Sequence, residues 1–218
     1  EDTPMKGGLD LIRGGVDEVG IPLDDEDLAE QLLLLLFAGY ETTASSLSCL
    51  FRALLMNPTV NTWLLEELDA QSEQEDRDRS LPRLDATVLE VMRLTPPVGG
   101  FFRRTKASVM LAGLEVPAGR VIQVVLTPSS PCDDSDFADF RPQRHLDESF
   151  DQTLLPFGGG ERVCLGKALA DLEIRLMALG VLKNVDLHLH PNQDLSLQQI
   201  PSPTPRDGLV VAANKKSK

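Results

Sequence analysis

The stretch FGGGERVCLG, residues 157–166, decides how this chain is read. Three glycines, an arginine and a cysteine stand directly ahead of an apolar pattern with helical period. Without Cβ atoms, Gly158, Gly159 and Gly160 let backbone approach a flat or bulky ligand without side-chain collision. Cys164 is expected at the start of the following helix. There the unpaired N–H groups and the positive dipole end favour a thiolate over a thiol, and Arg162 adds positive charge. Such a thiolate can be a nucleophile, a zinc ligand or an iron ligand. No histidine lies close in sequence to act as a base, and no second cysteine sits at zinc-ligand spacing. A single axial thiolate to haem iron needs neither companion.

Working outward, the 218 residues are 42% hydrophobic and 25% charged, ordinary for a folded globular chain. The formal net charge of -13 argues against nucleic acid, which needs a concentrated basic surface. A small molecule or a protein partner fits better. Three cysteines at irregular spacing make neither a disulfide framework nor a zinc knuckle. Cys49 reads as a small core residue and Cys132 as a loop residue without special chemistry. The longest apolar run, Leu32 to Gly39, falls short of the roughly 20 residues that span a bilayer. The chain begins at Glu1 without the zones of a signal peptide, so its start is read as internal to something longer.

Residues 1 to about 23 predict an irregular or short helical lead-in. The acidic start at Asp24 and Asp25 and the stop at Asn57-Pro58 predict a helix over about 24–56, roughly 45 Å long. It is apolar nearly all round from Leu32 to Phe37, as in a helix running through the middle of a domain. A second helix follows Pro58 and contains Trp63, which packing explains. The charged stretch 71–80 reads as a solvated loop. A further helix is expected over 85–94, ended by Pro96-Pro97. The β-branched runs of 108–126, split by Ala-Gly and Pro-Ala-Gly, predict a small antiparallel sheet. Residues 128–156 read as an irregular connector. Beyond Cys164, apolar residues at 165, 168, 169, 172, 176 and 179 form a helical stripe, with strands expected at 185–189 and 208–212. The fold class is α+β, mainly α, with a minor segregated sheet. His188 and His190 share one strand face and read as solvent-exposed.

The pattern F-x-x-G-x-R-x-C-x-G, filled by Phe157, Gly160, Arg162, Cys164 and Gly166, resembles the haem-binding loop of the cytochrome P450 family. From ordinary residue usage it arises by chance on the order of once in ten million windows. The resemblance implies haem b, iron protoporphyrin IX, with Cys164 as axial iron ligand. Phe157 and Gly158 would lie beside the ring, Arg162 would pair with a propionate, and Gly166 would let the first helical turn approach the porphyrin face. AGYETT, Ala38 to Thr43, resembles the family's oxygen-activation segment. Ala38 and Gly39 would then keep bulk away from the ring, Thr42 would hydrogen-bond O2, and Glu41 would help deliver protons for O–O cleavage. Taken alone, the same Gly-x-x-Thr stretch equally reads as a helix interior with a packing glycine.

Glu90 and Arg93 stand one turn apart on a helix. In the family, E-x-x-R is a buried pair joined by a later arginine, here Arg144 in FRPQRH, and the trio braces the cysteine loop. PPVGGFFRRT, residues 96–105, resembles the segment after that helix, with Arg103 as second propionate partner and Arg104 as the spare. Two departures stand out. The family has Glu and an aromatic around the third arginine where this chain has Gln143 and His145, and its H-x-D-P segment reads Pro131-Cys132-Asp133-Asp134.

The resemblance runs from about residue 22 to 213 and corresponds to the C-terminal half of a full member, so residues 1–218 are expected to be part of a single such domain, truncated at the N-terminus. Without the other half, the long helix and one haem face are expected to stay partly exposed. The implied function is a haem-thiolate monooxygenase fragment. It would insert one oxygen atom of O2 into an apolar small-molecule substrate, with electrons from a ferredoxin or flavin reductase type donor. Arg162, Lys167 and Arg175 near the cysteine side would form a docking patch for an acidic donor. PPVGG and the cysteine loop are most similar to the branch that hydroxylates retinoids and sterols. Two rivals stay open: a non-catalytic remnant that binds haem weakly or not at all, and, ranked below, a thiol hydrolase using Cys164. Compartment is also open, because the family has both soluble and membrane-anchored members.

Overall fold

Asp24 starts the longest helix by capping it. Its Oδ1 accepts from the N–H groups of Glu26 and Asp27, both at 2.9 Å, while Asp27 Oδ2 accepts from the Asp24 N–H at 3.3 Å. This reciprocal pair satisfies donors that a helix start leaves open. The computed structural model describes residues 7–17, 19–70, 80–126, 136–147, 150 and 154–216. The chain divides into two compact units, Glu1–Glu41 and Thr42–Lys218, and the helix Asp25–Met56 (α2) runs through the division.

The first unit holds the short helix Gly8–Arg13 (α1), a bridge between Val16 and Pro22, and the first half of α2. Asp17 Oδ1 closes the turn by accepting from Val19 N–H at 2.9 Å and Ile21 N–H at 2.8 Å. Leu33 to Phe37 of α2 are solvent-exposed. The expectation of a helix enclosed on every side therefore fails here, and the expectation of partial exposure describes it. By length and composition α2 is also sufficient to cross a membrane. The sequence reading missed this because it counted consecutive apolar residues, whereas Gly, Ser and Thr dilute hydropathy only slightly.

In the second unit the core forms where α2 meets three other helices: Pro58–Asp69 (α3), Pro82–Leu94 (α4) and Lys167–Asn184 (α5). Leu50 and Leu54 of α2 join Leu64 and Leu68 of α3, Leu84 and Val91 of α4, and Ile174 and Ala178 of α5 in one buried cluster. Burying a leucine of this kind is worth about 2 kcal/mol. Polar groups on the same face of α2 are also satisfied. Ser45 Oγ and Cys49 Sγ donate to the Pro203 carbonyl at 2.6 and 3.3 Å, and Arg52 Nε donates to the Leu195 carbonyl at 2.6 Å. Burial pushes the Cys49 thiol up, which suits its place in the core.

α4 begins at Pro82, three residues before its expected start. Its first turn is capped from another helix: the Glu67 carboxylate accepts from the N–H groups of Arg83 at 2.9 Å and Leu84 at 3.1 Å. Arg83 in turn stacks 5.1 Å above the Trp63 ring and bonds Glu66 at 3.1 Å.

The apolar stripe that identified α5 meets its buried face only at Leu179. Leu165 precedes the helix and Leu169, Leu172 and Leu176 are exposed, whereas Ile174, Ala178, Leu179 and Leu182 are buried. Both sides of α5 are apolar, so packing against α3, not periodicity, selects the inner one.

Four two-stranded antiparallel sheets complete the described residues. Gly100–Arg104 (β1), Val109–Leu111 (β2), Leu114–Val116 (β3) and Val121–Val125 (β4) come first. β2 and β3 form a hairpin across Ala112-Gly113, both with positive φ, while β4 pairs back with β1 through Phe102 opposite Gln123. Val185–Leu189 (β5) pairs with Val211–Lys215 (β8), three residues later than expected, and Leu197–Gln198 (β6) pairs with Thr204–Pro205 (β7). His188 and His190 are exposed, as read from the sequence.

A cysteine loop and its buried carboxylate

Gly158 and Gly160 adopt φ of +71° and +66°, a region that side chains other than glycine enter only with strain. The two turns fold the loop back on itself. Cys164 N–H donates to the Phe157 carbonyl at 2.9 Å, Val163 N–H to Gly160 at 3.2 Å, and Lys167 N–H to the Cys164 carbonyl at 3.3 Å. Phe157 packs against the core with the Lys167 ammonium 5.1 Å from its ring centre, which anchors the loop from beneath.

Cys164 is left exposed at the tip. It does not open the helix as expected: α5 starts at Lys167, with Gly166 as its N-cap. The cysteine sits in the turn before it, where the dipole acts from farther away. A Cβ on Gly166 would lie 4.0 Å from Cys164 Sγ, in ordinary contact, so position 166 borders the sulfur.

Among the described residues no cluster of three His, Cys, Asp or Glu side chains could hold a metal ion. A single exposed thiol bordered by the 90% exposed Leu165 therefore suits a metal that arrives with its own equatorial ligands and an apolar rim, as an iron porphyrin does.

Arg103 and Phe101 alternate onto the same face of β1, and the Arg103 guanidinium lies 4.2 Å from the Phe101 ring centre. The Phe101 ring reaches the cysteine loop, since a Cβ on Gly158 would meet its Cε1 at 4.0 Å. Arg103 is thus carried by the strand that abuts the loop. Arg104 points to the other face, donating to the Gly119 carbonyl at 3.4 Å.

A second cluster, on α4, centres on a buried carboxylate surrounded by donors. Glu90 Oε1 accepts from Arg93 Nη2 at 2.9 Å, Arg144 Nε at 3.0 Å and the Arg141 N–H at 2.9 Å. Oε2 accepts from Arg93 Nε at 2.7 Å and His145 Nε2 at 2.7 Å. The spare guanidinium donors reach backbone: Arg144 Nη2 bonds the carbonyls of Asp136 and Asp139 at 2.8 and 3.2 Å. Arg93 also lies 4.6 Å from the Phe137 ring centre. Arg93 Nη1 is buried and finds no acceptor among the described residues. Burial alone pushes the Glu90 carboxyl up. The hydrogen bonds from Arg93, His145 and the Arg141 N–H outweigh it and hold the group down at about 2. Sequence reasoning named three members of this cluster and counted His145 as a departure. Its one available signal was adjacency to Arg144.

Ala38, Gly39, Glu41 and Thr42 lie on an unbroken stretch of α2. Ala38 and Gly39 are exposed, and Glu41 and Thr42 half-buried.

The docking patch is less basic than expected. Lys167 Nζ pairs with Asp171 at 2.5 Å and Arg175 Nη1 with Asp85 at 2.9 Å, so two of its three cations are compensated in place. Both pairs border a cleft of about 630 Å³ between α4, α5 and the approach to the loop, floored by Val88, Leu89, Met92 and Leu172. Cys132 and the segment 131–134 lie outside the described residues, as does the charged stretch 71–79.

Residues 4–215 match the family model described as Cytochrome P450. The chain is 35% identical over 214 residues to a putative cytochrome P450 120 of Synechocystis, covering 93% of this chain and 48% of that protein. To cytochrome P450 26B1 of Danio rerio it is 33% identical, covering 93% of this chain and 43% of the relative. The solved structure titled retinoic acid bound cyanobacterial CYP120A1 superposes with a TM-score of 0.85 at 32% identity, covering 98% of this chain and 52% of that one. The chain spans about half the length of the relatives it matches. With the long helix, the buried E-x-x-R pair and the cysteine loop following one another in that order, it belongs to the cytochrome P450 family.

Proposed function

We propose that this chain carries the thiolate side of a haem monooxygenase centre, in which the Cys164 thiolate would hold the iron. The observation that carries this reading is the exposed Cys164 thiol, held at the tip of a loop whose turns require Gly158 and Gly160. Haem bound there would supply the redox centre for the reaction RH + O2 + 2e⁻ + 2H⁺ → ROH + H2O.

The chain's own residues do the rest. Arg162 and Arg103 would hold the propionates, and Phe157, Gly158 and Gly166 would shape the approach to the sulfur. By the family resemblance, Ala38 and Gly39 would leave room on α2, Thr42 would hydrogen-bond O2, and Glu41 would help deliver protons. Glu90, Arg93 and Arg144 fix the position of the loop. The substrate is an apolar small molecule. The solved relative CYP120A1, bound to retinoic acid, supports the resemblance of the cysteine loop to the retinoid- and sterol-hydroxylating branch.

Electrons come from a separate donor protein. Because Lys167 and Arg175 are already paired, and Arg162 would pair with a propionate, steering by this face is weak. Replacing Lys167 and Arg175 together should therefore change reduction kinetics only modestly, and a large loss of rate would restore the strongly basic patch.

The test is an absorption spectrum of the chain mixed with haem, reduced and exposed to carbon monoxide, with Cys164→Ala in parallel. A strongly red-shifted Soret band that the variant lacks supports thiolate ligation. A band typical of neutral ligation, or no stable haem, favours the remnant reading.

A further inference from the structure

We propose that His145 is a positioning residue, the fourth side-chain member of the Glu90 network. Its Nε2–H ties the 3-10 turn Pro142–Leu146 to α4 and so helps hold the cysteine loop in place.

The geometry is specific. His145 Nε2 lies 2.7 Å from Glu90 Oε2, and only 5% of the His145 side chain is exposed. An ionised carboxylate only accepts, so the proton of this bond sits on Nε2. Oε1 has three donors, whereas Oε2 has Arg93 Nε and His145 alone. Removing the imidazole leaves Oε2 with one donor in a site closed to water, where an unmade hydrogen bond is costly. The ring also meets Phe150 edge-on, centroids 5.2 Å apart at 89°. His145 thus combines the ring expected at this position with a donor that an aromatic hydrocarbon lacks. The other charged groups here are Glu90 and Arg93 on α4, Arg141 and Arg144 beside the turn, and Asp136 and Asp139, which contribute backbone carbonyls.

Two substitutions separate donor from ring. His145→Phe keeps the ring and removes the N–H, while His145→Gln keeps an N–H at similar reach and removes the ring. Urea unfolding of the whole chain should show His145→Phe losing at least about tenfold in its folding equilibrium constant, as expected for a bond to a charged group. His145→Gln should recover to within about threefold of the parent. Should His145→Phe fail to fold while His145→Gln folds normally, the proposal stands. It is overturned if His145→Phe matches the parent, or if His145→Gln is as damaged as His145→Phe. The link to the loop rests on the haem-thiolate reading and is read separately, from the carbon monoxide spectrum of the same variants. A parent chain without the red-shifted band would sink that reading and leave the stability comparison to judge His145. A parent with the band and an equally intense band in His145→Phe would sink the link to the loop.

Discussion

Arg93 and Glu90 meet one helical turn apart on α4, Nε to Oε2 at 2.7 Å and Nη2 to Oε1 at 2.9 Å, with both side chains shut off from solvent. An (i, i+3) pair on a helix surface is worth a few tenths of a kcal/mol. A buried one behaves differently, because losing one partner strands the other's charge away from water. Arg144 depends on the same carboxylate, so two guanidiniums share one counter-charge.

Replacing Glu90 with Gln should therefore destabilise the chain by about 3–5 kcal/mol, far beyond an exposed pair such as Lys167–Asp171. Urea unfolding of Glu90→Gln and Asp171→Asn side by side checks this. Comparable small effects would mean that the network is a passive contact.

The same carboxylate sets an acid limit. Its folded-state pKa of about 2 lies below the ordinary 4.5, so its stabilisation is complete above pH 4.5 and is lost as pH falls from there through 2. The contribution at neutral pH is about 3 kcal/mol, since each tenfold change in proton affinity is worth about 1.4 kcal/mol. Unfolding at pH 6 and pH 3 should show a smaller pH effect in Glu90→Gln than in the parent.

Gly160 has φ of +66° and open space where a Cβ would stand. Gly160→Ala should cost about 1–2 kcal/mol from backbone strain alone. The measurement is a thermal melt paired with the carbon monoxide spectrum, in which the turn that presents Cys164 would lose definition. An unchanged melt would mean that the turn relaxes freely.

Two leucine-class positions on α5 distinguish its faces. Ile174→Ala should cost about 2–5 kcal/mol, and Leu172→Ala within about 0.5 kcal/mol, because the first is buried and the second exposed. Equal costs would put the helix in a different rotation.

Glu67 caps α4 from α3, accepting from the Arg83 and Leu84 N–H groups. Glu67→Ala should remove about 0.5–2 kcal/mol, the usual value of a helix cap, and a chemical-denaturation midpoint reads it directly.

Much of this was legible without coordinates. α2 was bounded by Asp24 and Asn57-Pro58, whose capping and helix-breaking chemistry is local. Cys164, Arg162 and the glycines stood together in ten residues, and Glu90 and Arg93 in four. Such features depend on neighbours along the chain, which is what a sequence displays.

Tertiary structure decided the rest. The inner face of α5 follows from its packing against α3, because a helix apolar on both sides does not name its buried side. β4 returns to β1 over an intervening hairpin, a pairing set by where the strands lie in space. Glu67 reaches α4, and His145 reaches Glu90, across 16 and 55 positions of chain. The sequence by itself determined the family, the cysteine loop and the helical frame, since these are written in local spacing. Only the fold decided that Glu90 gathers two arginines, a histidine and a backbone N–H, because a buried carboxylate chooses its donors by proximity in space.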